Sequence, residues 1–178
     1  MLPKLVNFLA LQANWHLCVH GLARGFPWLG PATVALSVAL HVLLQPRRLR
    51  QLSFIGLMTV YGLFFDALLV ALGLISFRQS PDSLWSPLAM LALWPNLATV
   101  FPLCLRWLKG HYVLGALLGF AGGISAYYWG ARFGAASFPG PVPSSLFFIG
   151  LLWAATTPAI LFLHHRFFSL TPTRGDES

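Results

Sequence analysis

From Leu52 to Ser76 the chain carries one charged side chain, Asp66. A helix needs about 20 apolar residues to cross the hydrocarbon core of a bilayer, so this stretch can span by itself. The rest of the sequence repeats the pattern. Of 178 residues, 57% are hydrophobic and 8% charged, against about 25% charged in a soluble domain. The apolar runs are continuous rather than alternating, which argues against a transmembrane barrel. The expected fold is all-α, a polytopic membrane bundle.

Six transmembrane helices fit the length. The first runs from near Lys4 to Ala23, and the second from near Leu29 to Gln45. The third covers Leu52 to Ser76, the fourth Pro87 to Trp107, the fifth Tyr112 to Phe133 and the sixth Leu146 to His165. Residues 1–168 thus form a single domain. The polar tail "SLTPTRGDES", 169–178, is expected to be disordered in the cytoplasm. The opening "MLPKLVNFLALQANWHLCVH" is similar to a signal peptide, but Asn7, Gln12, Asn14 and His16 interrupt its apolar run. No small-residue cleavage site follows, so a retained first helix is expected.

The net charge of +7 comes from short basic loops, so nucleic acid is not an expected partner. Lys4, Arg47, Arg48, Arg50, Arg106, Lys109, Arg166 and Arg174 fall on one side of the predicted bundle, and Arg24, Arg78 and Arg132 on the other. That asymmetry puts both termini in the cytoplasm. Cys18 and Cys104 then lie at opposite depths, too far apart for a disulfide. His16 and His20 have the i, i+4 spacing of metal or haem ligands, but no further ligand or HExxH pattern accompanies them, so no metal or other cofactor is expected. His111, His164 and His165 belong at the cytoplasmic interface.

Asp66 is the chemically informative residue. A charged Asp at the centre of a membrane helix costs about 2.5–3.5 kcal/mol on insertion scales, so it should face the bundle interior. Gly62 and Gly73 share its helical face, as expected for a side packed on other helices. At its depth the other segments bring Asn14, Trp15 and His16; Trp94 and Asn96 beside Pro95; Ser125, Tyr127 and Tyr128; and Thr156 and Thr157 beside Pro158. Such a layer can tie helices together or line a pocket. Pro95, Pro102 and Pro158 free backbone groups within their helices, which is tolerated only inside protein or along a cavity.

The fifth segment, "GALLGFAGGISAYYWGARFGA", repeats small residues by four: Gly115, Gly119 and Gly123, then Gly122, Ala126, Gly130 and Gly134. These faces serve close internal packing, self-association or the docking of another membrane protein. A three-plus-three inverted repeat, frequent in transporters, finds no residue-level match between the halves. P-loop, dinucleotide, GxSxG and paired-carboxylate signatures are absent.

Asn14–Trp15, "PWLGP" at Pro27–Pro31, "GLFFDALLVALG" around Asp66, "LALWPNLATVFPLCLRWL" and "GFAGGISAYYWGARFGA" resemble a bacterial inner-membrane family catalogued as domain of unknown function 2878. The resemblance spans nearly the whole chain. It implies a multi-helix, multi-pass protein of the inner membrane with no assigned activity. It also implies genes near fatty-acid-modifying enzymes such as cyclopropane synthase relatives, and hence a lipid-linked role.

The function expected is binding or transport of a small or lipidic substrate in a mid-membrane polar pocket. Asp66 would be its anchor, with Asn14, His16, Trp94, Asn96, Tyr127, Tyr128 and Thr156 around it. One alternative is a membrane-embedded enzyme or subunit acting on acyl chains, with Asp66 and His16 as the acid–base pair. Another is a structural assembly factor without a ligand.

Overall fold

The computed structural model describes residues 2–78 and 85–168. The expected tail, 169–178, lies outside the described residues. The described chain forms α1 (Leu2–Ala23), α2 (Leu29–Leu44), α3 (Arg48–Ala71), α4 (Trp85–Leu91), α5 (Leu93–Ala98), α6 (Tyr112–Arg132) and α7 (Val142–Leu163). A wider helical turn, His164–Phe168, prolongs α7. Among the described residues, three helices are long and apolar enough to cross a membrane: Arg48–Ala71, Tyr112–Arg132 and Val142–Phe168. Of the other expected spans, α2 is apolar but has only 16 residues. The 22 residues of α1 are diluted by Asn7, Gln12, Asn14, His16 and His20.

The fourth expected span is not one helix. α4 and α5 are short, and residues 99–105 continue in turns to a single tight turn at Arg106–Leu108. Proline explains the breaks. Pro95 cannot donate to the Leu91 carbonyl, and Pro102 cannot donate to that of Ala98. Three-residue bonds tighten the chain between them, from Thr99 N to Asn96 O (3.3 Å) and from Val100 N to Leu97 O (3.2 Å). Irregular backbone survives at membrane depth only when protein surrounds it, and Trp94, Asn96, Ala98, Thr99, Val100 and Phe101 are all buried.

The polar face of α1 supplies the surroundings. Asn96 Nδ2 donates to the Leu11 carbonyl at 3.0 Å. Asn14 Nδ2 donates to Asn96 Oδ1 at 3.0 Å and to Ser37 Oγ of α2 at 2.9 Å. Asn7 Nδ2 reaches Thr99 Oγ1 at 3.3 Å. Further out, α1 crosses α2 where a Cβ on Gly30 would collide with Cys18. Cys18 is buried there, whereas Cys104 donates to the Lys4 carbonyl at 3.3 Å; both are free. Fourteen residues of α1 separate the two contacts, about 21 Å at the α-helical rise.

Two hairpins, α3 to α5 and α6 to α7, repeat one design. Each first helix ends in a Schellman cap with a left-handed glycine. At Gly73 (φ 66°) the cap bonds are Leu74 N to Leu69 O and Gly73 N to Val70 O. At Gly134 (φ 86°) they are Ala135 N to Gly130 O and Gly134 N to Ala131 O. Gly73 and Gly134 are therefore caps, not members of packing faces, and α3 stops at Ala71 instead of Ser76. Each cap starts the sequence Gly-x-x-Ser-Phe, at 73–77 and 134–138. The strands β1 (Ser76–Phe77) and β2 (Ala136–Ser137) pair antiparallel, with Ser76 opposite Ser137. That register is what a two-fold axis between two copies of one motif requires.

The match continues down the first helices at the same offset, and along the return segments at an offset two residues shorter. A Cβ on Gly62 would fall inside the Trp94 ring, and one on Gly123 would meet the Trp153 ring. The two indoles stack on each other at 5.3 Å, with planes 8° apart. Buried Ser86 and Ser145 precede these tryptophans by the same interval. The repeat pairs one helical hairpin with another rather than three spans with three, so a search by halves does not find it.

Candidate functional site

Asp66 and Tyr127 occupy equivalent positions in the two hairpins and bond to each other at the interface. The Tyr127 hydroxyl donates to Asp66 Oδ1 at 3.0 Å, and Trp94 Nε1 donates to Oδ2 at 2.9 Å. Gly62 makes this possible, because any side chain there would displace Trp94 from the face of α3. An indole N–H can only donate, so Asp66 acts as an acceptor on at least Oδ2. The equivalent indole, Trp153, lies beside the Tyr127 hydroxyl, yet among the described residues its buried Nε1 has no acceptor in bonding geometry.

These groups form the floor of a cleft of about 690 Å³. Its walls are α1 and α6, and exposed residues of both, Gln12 and His16 on one and Gly122, Ser125 and Trp129 on the other, form the rim. Gly122 is central in α6, so the cleft reaches the surface of the bundle midway along that helix. One end is closed where Phe133 meets Trp15 at 6.2 Å, His16 at 6.2 Å and His20 at 4.5 Å. Toward the other end the lining turns apolar, with Leu97, Phe101, Leu105, Leu108 and Leu118.

The polar residues of one predicted layer divide into separate sets. Trp94 and Tyr127 join Asp66, whereas Asn14 and Asn96 join each other. Thr156 bonds the Tyr61 hydroxyl at 2.7 Å. His16 lines the same cleft as Asp66, but its ring stacks on His20 at 5.6 Å. Tyr128 is exposed and packs on Trp129. Among the described residues, no three His, Cys, Asp or Glu side chains converge as a metal site would need. Trp153 and Gly122 were not singled out as site residues in the sequence. The signal for Trp153 is its equivalence to Trp94, each of which follows a serine, Ser145 and Ser86, by the same interval.

The glycines of α6 divide by face. A Cβ on Gly115, Gly119 or Gly123 would collide with Leu161, Thr157 or Trp153 of α7, so that face is filled by the same chain. At Gly122 and Gly130 a Cβ would meet nothing within 4 Å, and both line the cleft.

A family model described as "Protein of unknown function (DUF2878)" matches residues 4–159. The chain belongs to this family. The DUF2878 match takes in both hairpin caps, Asp66, Trp94, Tyr127 and Trp153. No curated protein and no solved structure matches the chain.

Proposed function

We propose that this DUF2878 protein binds a small or lipidic molecule in the cleft between α1 and α6, as a bacterial inner-membrane protein that binds or moves that substrate. One observation carries the reading: the acid in the apolar bulk of the chain lies on the floor of a laterally open cleft, between two matching hairpins. Intramembrane carboxylates mark functional sites by default, and transporters built from repeats hold their substrates at the repeat interface near the bilayer midplane. The volume falls within the range of about 300–1,000 Å³ usual for ligand pockets. The topology that goes with this has six membrane segments and both termini in the cytoplasm, supported by the bias of Lys and Arg to one side. The short segments α2 and α4–α5 would cross as buried members of the bundle.

Organic extraction and mass spectrometry of the purified full chain test the reading. A bound molecule is expected in the wild type and absent from Gly122→Phe, whose ring would occupy the cleft. No molecule in the wild type, with no thermal shift from any amphiphile, would remove the proposal.

A further inference from the structure

We infer that the cleft takes a lipophilic cation, an amphiphile whose polar end is an ammonium group. This rests on the cleft being the binding site, as proposed above, and adds what it selects. Charge favours a cation. The chain carries a net charge of +7, yet among the described residues no Lys or Arg lines the cleft, and Asp66 is the one acid that does. The partners of Asp66 among the described residues, an indole and a phenol, bring no formal charge to offset it. A carboxylate offers about four lone-pair positions, so two donors leave acceptor capacity facing the cleft.

The lining favours one as well. Trp94, Tyr127 and Trp153 lie next to Asp66 on the floor, and Trp15, Trp129 and Phe133 also line the cleft. Aromatic faces are negative, and an ammonium held over them, best over Trp, gains about 0.5–2 kcal/mol. An anion would meet both these faces and the carboxylate unfavourably. Access sets the rest of the molecule. The mouth opens at the middle of α6, so an occupant arrives through hydrocarbon and needs an apolar body. Leu97, Phe101, Leu105, Leu108 and Leu118 provide a wall for it. From Tyr127 to Leu118 that wall extends about 13 Å at the α-helical rise, which suits an alkyl chain of moderate length.

The test uses the full chain in non-ionic detergent, with tryptophan fluorescence as the readout. Decyltrimethylammonium, decanol and decanoate are the probes, because they share one chain length and differ in charge. The expected result is saturable quenching by decyltrimethylammonium at an affinity about ten-fold tighter than decanol, with decanoate weakest. Asp66→Asn should weaken the cation about ten-fold and leave decanol unchanged. Gly122→Phe, which keeps Asp66 and meets no neighbouring atom within 4 Å at its Cβ, should abolish binding of both. If decanol or decanoate matches the cation, or Asp66→Asn binds the cation like the wild type, the cationic selectivity is overturned while the cleft survives as a site. If no probe binds the wild type, or Gly122→Phe binds all three normally, the binding site itself fails, and this inference with it.

Discussion

The two hairpins share their caps, their strand pairing and their glycine–tryptophan contacts, and they differ in the return helix. In the second hairpin, α7 runs unbroken through 22 residues although Pro158 sits inside it. In the first, Pro95 and Pro102 divide the return segment into α4, α5 and a run of turns. The neighbours differ accordingly. The broken segment lies under α1, whose asparagines satisfy it, while α7 exposes Phe147, Phe148, Leu151 and Phe162. A continuous helix meets its own hydrogen bonds and can face lipid; a broken one must be enclosed. The acid follows the same logic, because Asp66 sits in the sheltered hairpin and Tyr127 takes its place in the other.

The largest expected effect comes from filling the glycine–tryptophan contacts. Gly62→Ala and Gly123→Ala should each lower stability by about 1–3 kcal/mol through overpacking, read as thermal unfolding in detergent. Gly62→Ala should be the worse, since its methyl would land within the Trp94 ring whereas that of Gly123 meets the rim of Trp153. A tolerated Gly62→Ala would break the equivalence at its centre. Next is the polar pair on the axis. Asp66→Leu strands the Trp94 and Tyr127 donors and should cost about 1–3 kcal/mol. Tyr127→Phe removes a single bond and should cost about 0.6 kcal/mol. The reverse order would mean that Asp66 is not the hub.

The caps sharpen the comparison in a different way, because here the hairpins should behave alike. Gly73→Ala and Gly134→Ala both force a side chain into the left-handed region, and each should cost about 1 kcal/mol. Unequal losses by differential scanning fluorimetry would show that one cap is braced by contacts the other lacks. The smallest effect is expected at Gly122. Gly122→Phe should change stability by less than about 0.5 kcal/mol, since only the cleft receives the new ring.

The membrane character and the family were legible in the sequence, through hydropathy and motif resemblance, and shared depth put Trp94 and Tyr127 in one layer with Asp66 without separating them from His16, Asn14, Asn96, Tyr128 or Thr156. Depth could not divide the layer further. Asn14 with Asn96, and Tyr61 with Thr156, lie at similar heights but on other faces, and rotation about a helix depends on packing. The fourth segment looks like one span because its apolar length outweighs two prolines in any composition average. The repeat is hidden because it rests on sparse positions, chiefly Gly62 and Gly123, Asp66 and Tyr127, and the two Gly-x-x-Ser-Phe turns. Gly73 and Gly134 have the spacing of packing glycines, and only their positive φ reveals them as caps.

The turns between Ala98 and Arg106 also bear on how the molecule is made. Left in lipid without α1, this segment would present carbonyls that no helix bonds and an Asn96 amide with nothing to hold. It is a poor free-standing insertion unit. In the proposed six-segment topology, the hairpin that contains it would meet α1 before release into the bilayer, so that the Asn7 and Asn14 face is in place when the broken segment arrives.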